Sequence, residues 1–371
     1  MYLLDYMNSH ENWRELLVAE PYNIEIKQNG IYSLLKYNQL LSDFSLPEVL
    51  EARGSIFRKD DSGKWICVCR AMDKFANFSE PYAATNKIDW SKGVDIQEKI
   101  DGSLIKLFFD KGQWNIATNG TINAYNAECG DTNFGELFMS IIAKNDSVRD
   151  FFKVLRPSYT YWFELVSPLH NHIVVKYPED RIYYLGCRNM VSMEEVTAEA
   201  PRAWLHTPAH FTYHSLEECI EAAHHMGENE EGYVCVSPDK ENGSYLRIKV
   251  KGDVYLSLHR IRGNGALTLN RICEMWQEET LDDFLALCPE YTDYIEKFKE
   301  AFARLAIEMA AAYIKNMFIL DRRDYAKEAM KYPPVVRAYM FAKYDNKCGT
   351  AAEYLKGLRA KALSEALEEK M

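Results

Sequence analysis

Residues 96–118 read IQEKIDGSLIKLFFDKGQWNIAT, and this stretch decides how the first part of the chain folds. Apolar and polar residues alternate up to Asp101-Gly102, and a second strand-like run begins at Leu104. Asp110-Lys111-Gly112 then separates that run from a third one. Runs rich in β-branched and aromatic residues on either side of a short turn are typical of an antiparallel hairpin. The stretch therefore predicts a short strand, a turn at Asp101-Gly102 and a hairpin.

The same strand pattern extends on both sides of this hairpin, from about Ile24 to Leu258. Four further runs rich in aromatic and β-branched residues predict strands, at 158–166, 181–187, 233–236 and 244–250. The last two flank the turn sequence DKENG and so predict a second hairpin. Stretches at 132–144 and 215–226 predict short helices between the strands. This part of the chain thus predicts an α+β domain with antiparallel sheets.

The sequence pattern changes after Arg260, where helical periodicity replaces strand alternation. The run RGNG at 262–265 is typical of a linker, because glycine and asparagine favour turns. We therefore predict two domains. The first is an α+β domain at 1–261, and the second is an all-helical C-terminal domain at 262–371.

A long amphipathic helix is predicted inside the second domain. Its apolar residues step by three or four positions: Ile295, Phe298, Phe302, Leu305, Met309 and Tyr313. Asp293 with Glu296 fits an N-terminal capping box for this helix. Pro333-Pro334 interrupts the next helix, because proline lacks the amide proton and clashes with the preceding turn.

The composition of the 371 residues excludes several classes of protein. A net charge of −11 argues against a protein that coats nucleic acid through bulk charge, although one basic cleft remains compatible with it. We find no apolar run of the roughly 18–20 residues that a membrane span needs, and Met1 to Asn12 do not form a signal peptide. Nine scattered cysteines predict reduced thiols and a cytoplasmic protein without membrane partners.

Lys99-Ile100-Asp101-Gly102 is a weak signal by itself, since four positions recur by chance and a charged turn is the ordinary alternative. A lysine that attacks a phosphate must be neutral, yet its ordinary pKa is about 10.4. Desolvation and neighbouring cations lower that pKa. Cations and a metal must also stabilise the transition state. A nucleophilic Lys99 would therefore need further cations and carboxylates elsewhere in the chain.

The chain supplies such residues in order: Arg53, Lys74, Glu164, Glu231, Lys249 and Lys251. Glu164 lies in an apolar strand, where an unpartnered acid is costly, so an edge-strand carboxylate is the weaker interpretation. Glu231 ends an acidic run that favours solvent, but Gly232-Tyr233-Val234 directly after it favours a site. Arg247 continues the alternation of the two lysines, so the pair facing the site is either Arg247 with Lys249 or Lys249 with Lys251.

In order and spacing, these motifs resemble motifs I, III, IV and V of the covalent nucleotidyltransferases, which comprise DNA ligases, RNA ligases and mRNA capping enzymes. Within that superfamily the chain resembles the phage T4 RNA ligase 1 family. The further signatures that carry this resemblance are Tyr37-Asn38, EARG at 51–54, MDKF at 72–75, KGDVYLSLH at 251–259 and RRDYAKEA at 322–329. The resemblance covers most of the chain.

The resemblance implies a role for each matching residue. Lys99 would form the lysyl–AMP bond, and Gly102 would let the backbone approach the nucleotide. The residues implied to contact ATP or its phosphates are Tyr37, Arg53, Lys74, Lys249 and Lys251. Glu164 would hold the ribose, and Glu231 would help to place Mg²⁺. Asp282 matches a metal-contacting acid, although Asp282-Asp283 also suits a first helical turn. Tyr255 would support the reaction after motif V.

One position departs from the family pattern. Family members commonly carry a basic residue before the glycine in the strand after motif I, but the run here is Thr118-Asn119-Gly120-Thr121. The Asn119 amide can donate a hydrogen bond to a phosphate or ribose without contributing a charge. This departure bears on the rate of one step or on substrate preference.

Other nucleotide and metal sites are not predicted. His170-Asn171-His172 and His224-His225 lack a third spaced ligand, so they do not indicate zinc. The chain has no Walker A sequence, so nucleotide binding is not expected to use a P-loop.

The activity implied is an ATP- and Mg²⁺-dependent RNA ligase that joins 5′-phosphate and 3′-OH ends through lysyl–AMP and RNA-adenylate. Its implied substrate is tRNA broken in the anticodon loop, with a kinase or phosphatase as a partner that heals the ends. The implied setting is the cytoplasm of a bacterial or phage-infected cell. A DNA ligase or a capping guanylyltransferase is the alternative within the superfamily. A non-catalytic RNA-binding protein is the alternative from another class.

Overall fold

The computed structural model describes residues 1–169, 175–196, 200–227, 229–253, 255, 267–287 and 289–371. Contacts between Cα atoms divide the chain into two units. The first unit comprises Met1–Asn38 and Ser42–His259, and the second comprises Gln39–Leu41 and Arg260–Met371. The linker predicted at 262–265 and the boundary predicted between 261 and 262 lie outside the described residues.

The first unit contains the strands, and short helices connect them. In chain order the strands are β1 (Ile24–Asn29), β2 (Tyr32–Tyr37), β3 (Arg53–Lys59), β4 (Trp65–Cys69), β5 (Ala76–Asn77), β6 (Asp95–Glu98), β7 (Ser103–Asp110), β8 (Gln113–Thr118), β9 (Glu128–Cys129), β10 (Thr132–Asn133), β11 (Tyr159–Val166), β12 (Arg181–Asn189), β13 (Glu195–Val196), β14 (His210–Phe211), β15 (Gly232–Glu241) and β16 (Ser244–Lys251). The helices are α1 (Tyr2–Ser9), α2 (Trp13–Val18), α3 (Pro47–Glu51), α4 (Phe134–Asn145), α5 (Val148–Val154) and α6 (Leu216–His224).

Three larger sheets form this unit. The first has the strand order β1-β2-β3-β4, the second β13-β12-β11-β7-β8 and the third β14-β6-β15-β16-β5. All neighbouring strands are antiparallel except β5, which runs parallel to β16. The predicted α+β class with antiparallel sheets is thus confirmed for the first part of the chain.

Both predicted hairpins are present, and their turns explain why. Lys111 and Gly112 between β7 and β8 have φ values of 49° and 81°, and Asn242 and Gly243 between β15 and β16 have 51° and 77°. Two consecutive residues with positive φ match the right-handed twist of the flanking strands, and glycine and asparagine adopt that conformation easily. The turn residues therefore fix the register of both hairpins.

The described elements of the second unit are helices. In chain order they are α7 (Leu269–Gln277), α8 (Leu281–Leu287), α9 (Thr292–Asn316), α10 (Arg322–Ala329), α11 (Pro334–Tyr344), α12 (Ala351–Lys356) and α13 (Ala360–Glu368). The buried residues of α9 include Ile295, Phe298, Phe302 and Leu305, as the periodicity predicted. Trp276 of α7 packs its ring 4.6 Å from that of Phe302. In the described part of the chain, every helix is too short or too polar to cross a membrane.

The start of α9 differs from the prediction. Its N-cap is Tyr291 and makes no side-chain capping bond, so the capping box at Asp293 and Glu296 is wrong. A 3₁₀ turn at Pro289–Tyr291 leads directly into the helix. The Thr292 hydroxyl donates to the Pro289 carbonyl at 2.8 Å, and Glu296 pairs with Lys299 instead. The 3₁₀ turn therefore determines where this helix begins, because the residues before Thr292 already have a helical conformation.

Candidate active site

The motifs quoted above converge at the turn that joins β6 of the third sheet to β7 of the second. The Lys99 amide at the end of β6 donates to the Gly232 carbonyl at the start of β15, at 2.8 Å. Gly232 is the cross-strand partner of Lys251 on β16. On the other side of the turn, Leu104 of β7 pairs with Glu164 of β11. Strand pairing thus brings together residues that are up to 152 positions apart in the chain.

Glu231 is the centre of this arrangement. Its Oε2 lies 2.7 Å from the Nζ of Lys99, and its Oε1 lies 2.7 Å from the Nζ of Lys251. The Glu231 side chain is 2% exposed, whereas Lys99 retains 20% exposure. Burial alone would raise the pKa of Glu231, but the two ammonium groups outweigh it and hold the pKa below its ordinary value. One buried carboxylate therefore fixes the positions of two lysines.

Asp101 connects the first and last motifs of the site. Tyr255 donates its hydroxyl to Asp101 Oδ1 at 3.2 Å, and the Val175 amide donates to Oδ2 at 2.9 Å. The ring of Tyr255 also lies 4.8 Å from the Nζ of Lys251. Burial, and then the charge of Glu231, raises the pKa of Asp101 to about 6. Tyr255 thus links Asp101 to the lysine pair by a hydrogen bond and a cation–π contact.

Gly102 allows a close approach between strands. A Cβ at this position would lie 2.6 Å from the Leu165 carbonyl oxygen and 2.9 Å from Glu164 Cγ. Gly102 was expected to let the backbone approach a nucleotide. Within the protein, the backbone of Gly102 closely approaches strand β11. This contact fixes the distance between the turn after Lys99 and Glu164.

Replacing Gly102 by alanine is expected to lower the free energy of unfolding by about 1–3 kcal/mol, because β7 or β11 must shift to admit the methyl group. Urea unfolding monitored by circular dichroism measures this change. Gly120→Ala is the matched control, since its Cβ would have only Lys27 Nζ as a neighbour, at 4.0 Å. Equal stability of the Gly102 and Gly120 variants would contradict the tight contact.

Glu164 of β11 faces the same group of charges. Burial raises its pKa to about 8, against the opposing influence of Lys99 and Arg53 and with the support of Glu231 and Asp101. A protonated carboxyl can donate as well as accept a hydrogen bond. Near neutral pH, Glu164 is therefore an uncharged polar group beside charged neighbours.

The raised pKa of Glu164 predicts a specific pH dependence of stability. An unfolded chain ionises this carboxyl near its ordinary pKa of 4.5, whereas the folded protein keeps the proton up to about pH 8. Wild-type stability should therefore fall relative to Glu164→Gln by up to about 1.4 kcal/mol per pH unit between these values, and stay level above pH 8. Urea unfolding of both proteins from pH 4 to 9 measures the difference. A constant difference would show an unshifted carboxyl.

Three more of the residues expected to contact ATP lie on or near the first sheet. Arg53 stacks its guanidinium 5.1 Å above the ring of Phe75, and its Nη1 is buried without a hydrogen-bond partner among the described residues. Lys74 Nζ lies 5.4 Å from the ring of Tyr37. Arg53 is near enough to Glu164 to lower the pKa of that carboxyl. The structure thus places Arg53 with the central charges, and Tyr37 with Lys74.

The pairing of β16 decides between the two possible lysine registers. Arg247 Nη2 lies 2.6 Å from Glu195 Oε2, in a buried ion pair away from Lys99. Lys251 instead contacts the carboxylate that also holds Lys99. Lys249 lies between them on the same face and is 8% exposed. Of the two possible partners of Lys249 on this face, Lys251 is therefore the one at the site.

Asp282 and Asn119 belong to different units of the chain. Asp282 belongs to the second unit and accepts a hydrogen bond from the Gln39 amide at 2.7 Å. Asn119 follows β8, and its Oδ1 is buried without a hydrogen-bond partner among the described residues. Its Cα would lie 2.9 Å from a Cβ on Gly54, so it is a neighbour of the Arg53-Gly54 segment. The role of Asp282 as a metal contact stays a prediction.

Among the described residues, no group of three His, Cys, Asp or Glu side chains is arranged to hold a metal ion. His224 pairs with Asp253 at 2.7 Å, and His170 and His172 lie outside the described residues. The role of Glu231 in placing Mg²⁺ therefore stays a prediction.

Sequence reasoning assigned no role at the site to three residues, Asp101, Tyr177 and Lys106. Asp101 was quoted in the motif, but its hydrogen bonds to Tyr255 and Val175 join distant parts of the chain. Tyr177 accepts a hydrogen bond from the Asp101 amide at 3.2 Å. Lys106 is fully buried and donates to the Gly54 carbonyl. A lysine in the otherwise apolar run of β7 was the one signal that could have identified Lys106.

Comparisons with known proteins identify a family for this sequence. The family model described as RNA ligase matches residues 51–255. A protein named as a bifunctional polynucleotide kinase/RNA ligase of Autographa californica nuclear polyhedrosis virus is 30% identical over 87% of this chain, which spans about half (47%) of that relative's length. An RNA ligase of Rhodothermus phage RM378 is 28% identical over 84% of this chain and 82% of its own length.

Among solved structures, an archaeal ATP-dependent RNA ligase is similar over 93% of this chain and 80% of its own, with a TM-score of 0.46 and 14% identity. That similarity is too low to add to the assignment. The family match covers more than half of the chain and includes Lys99, Glu164, Glu231 and Lys251. The chain therefore belongs to the RNA ligase family of the phage T4 RNA ligase 1 type.

Proposed function

We propose that this protein is an ATP-dependent RNA ligase that uses Lys99 as a covalent carrier of AMP. The observation that carries the proposal is the buried Glu231 carboxylate with Lys99 and Lys251 each 2.7 Å away. A lysine that is partly exposed, anchored by a buried acid and accompanied by further cations suits attack on a phosphate. Family membership supplies the reaction class in which such a lysine acts.

The first step transfers AMP to the enzyme. Lys99 Nζ attacks the α-phosphorus of ATP, a P–N bond forms, the P–O bond to pyrophosphate breaks, and the amine gives up a proton. Lys99 must leave Glu231 before this attack, because the nitrogen that contacts the carboxylate has to turn towards the phosphorus. Lys249, Lys251 and Arg53 stabilise the negative charge on the phosphates.

The later steps use the same group of residues. An oxygen of the RNA 5′-phosphate attacks the AMP phosphorus, a P–O–P linkage forms, and the P–N bond to Lys99 breaks. A 3′-OH then attacks the activated 5′-phosphate, which forms the phosphodiester and releases AMP. Glu164 holds the ribose of the nucleotide through hydrogen bonds from its carboxyl group.

The residue of this site that would hold Mg²⁺ is Glu231, whose carboxylate would have to exchange one of its two ammonium partners for the ion. Magnesium is commonly bound by one or two carboxylates together with substrate phosphates and water, so a single buried carboxylate beside the phosphate position is sufficient. When bound, the ion would neutralise charge on the phosphates. Tyr255 and Asp101 keep Lys251 in place around that carboxylate.

We further propose that the RNA substrate is tRNA broken in the anticodon loop, and that the second unit helps to select it. The support is the resemblance of the helical part at 322–329 to the family signature. A kinase that supplies the 5′-phosphate must act before the ligase. The viral relative is named as carrying both activities, which makes an end-healing kinase a natural partner.

Sealing assays test this function. The protein is incubated with Mg²⁺ and ATP, and with 5′-phosphorylated substrates of three kinds: tRNA cut in the anticodon loop, an unstructured RNA with the same ends, and nicked duplex DNA. We expect the fastest sealing with the cut tRNA. Faster sealing of nicked DNA would identify a DNA ligase, and labelling by GTP in place of ATP would identify a capping enzyme. Equal sealing of the two RNAs would remove the tRNA assignment alone.

A further inference from the structure

An irregularity in the first sheet lies directly beside Arg53. Pairing between β2 and β3 passes from Leu35 with Ser55 to Lys36 with Arg53, so Gly54 has no residue opposite it. Gly54 has a φ of 69°, which glycine adopts without strain. An extra residue of this kind is a β-bulge, which bends the strand and redirects the adjacent side chains. The direction in which Arg53 points therefore depends on this bulge.

Lys106 of β7 holds the bulge from the second sheet. Its ammonium group donates a hydrogen bond to the Gly54 carbonyl, which the bulge has displaced from regular pairing. A Cβ on Gly54 would lie 2.7 Å from Lys106 Nζ and 2.9 Å from Asn119 Cα. Gly54 is therefore confined between the end of the Lys106 side chain and the backbone after β8.

A lysine is a costly choice at this position. Lys106 is 0% exposed, and the groups that face it are the cations Arg53 and Lys36 and the thiols Cys67 and Cys69. Burial lowers its pKa to about 8, against an ordinary value of 10.5. An apolar residue would fill this strand position without the cost of a buried charge. A lysine there indicates a requirement other than packing.

Lys106 contacts the carbonyl of Gly54, the residue directly after Arg53, so the buried lysine bears on the position of Arg53. The Nη1 of Arg53 is buried without a hydrogen-bond partner among the described residues, and the charge of this arginine influences the carboxyl of Glu164. We propose that Lys106 is a positioning residue, which holds the Gly54 bulge so that the Arg53 guanidinium is directed at the phosphates of ATP. This inference rests on the function proposed above and adds a residue that acts through Arg53.

A double-mutant cycle on the full-length protein tests the inference. The variants are Lys106→Met, Arg53→Ala and the pair, and the readouts are KM for ATP and the rate of self-adenylation. Lys106→Met is expected to lower the rate divided by KM about tenfold, mainly through KM. In the Arg53→Ala background the same change should have less than a twofold effect, because Lys106 then has no guanidinium to direct.

The control is Lys240→Met. Lys240 also donates to a main-chain carbonyl, that of Glu195, but its strand β15 belongs to a different sheet from β3 with Arg53, so its loss should leave KM unchanged. If the effects of Lys106→Met and Arg53→Ala multiply in the pair, Lys106 has a general structural role and the inference is overturned. If the wild type is labelled and Arg53→Ala is labelled equally well, the inference is also overturned, because Arg53 then plays no part in the reaction with ATP. Absence of label in the wild type would instead refute the proposed function.

A second variant covers the case in which Lys106→Met does not fold. Lys106→Gln keeps a polar end but is one atom shorter, so it cannot reach the Gly54 carbonyl from the same backbone position. It enters the cycle with the same criterion, less than a twofold effect in the Arg53→Ala background. A multiplicative effect overturns the inference here as well.

Discussion

Replacement of Lys99 by alanine is expected to abolish covalent labelling of the protein by ATP, with a loss of more than about a thousandfold, or about 4 kcal/mol in the activation barrier. The reason is chemical, since without the Nζ no P–N bond can form. The measurement is incubation with Mg²⁺ and ATP labelled at the α-phosphate, followed by denaturing electrophoresis. The fold should persist, because Lys99 is partly exposed and Glu231 keeps Lys251 as a partner.

Lys99→Arg separates the nucleophile from the ion pair. Arginine can restore a charged contact with Glu231, but its guanidinium stays protonated and is a poor nucleophile. If Lys99 only neutralised Glu231, arginine would restore activity. We expect it to restore thermal stability and leave labelling absent. Lys92→Ala is the matched control, because Lys92 is an exposed lysine seven positions before Lys99 and pairs with Asp239. This variant should label like the wild type. Label on either Lys99 variant would contradict the central proposal.

The parts of this fold that could be predicted from sequence are those determined by neighbouring residues. The hairpins at 103–118 and 232–251 follow from alternation and from turn residues that tolerate positive φ. The apolar face of α9 follows from helical periodicity. The N-terminus of α9 was not predictable in this way, because a preceding 3₁₀ turn sets it and no capping side chain is involved.

The site could be predicted as a set of residues but not as an arrangement. Lys99, Glu231 and Lys251 were identified by their order in the chain. Their shared contact depends on how β15 pairs with both β6 and β16. The bond between Asp101 and Tyr255 spans 154 positions, and no local pattern encodes such a contact. Long-range strand pairing therefore supplies the geometry that sequence order lacks.

The bulge at Gly54 shows the same limit in the first sheet. The sequence places Arg53 and Gly54 together, but Lys106 is 52 positions away on a strand of another sheet. A charged side chain by itself would make Lys106 an exposed strand residue. It is buried because β4 and β7 belong to facing parts of one core, where Cys69 and Phe108 are also buried. Tertiary packing thus reverses the simplest interpretation of a lysine in a strand.

Replacement of Glu231 by glutamine is expected to have the second large effect, at least a hundredfold loss of self-adenylation. The amide has one oxygen, so it can accept from only one of the two ammonium groups, and it brings a donor towards the other. Two cations, Lys99 and the buried Lys251, then lose their shared negative charge. Removing one partner from a buried ion pair costs about 3–5 kcal/mol of stability.

The pH dependence of this loss has a defined sign. The pKa of Glu231 is held below its ordinary 4.5 in the folded protein, so its carboxylate stabilises the fold above about pH 4.5. That contribution disappears as the pH falls through the folded pKa. The stability difference between wild type and Glu231→Gln should therefore shrink as the pH falls below about 4, which urea unfolding at a series of pH values below 5 measures.

A compensating variant separates stability from catalysis at the same site. Changing Glu231 to leucine together with Lys251 to methionine removes the buried negative charge and the buried positive charge at once, and replacing a buried pair by apolar residues is often neutral for stability. Lys99 remains and can reach solvent through its exposed fraction. We expect this protein to unfold at a higher urea concentration than Glu231→Gln, yet to stay unlabelled by ATP. Recovery of labelling along with stability would mean that Glu231 serves only to keep the fold intact, because the nucleophile would then work without the carboxylate that positions it.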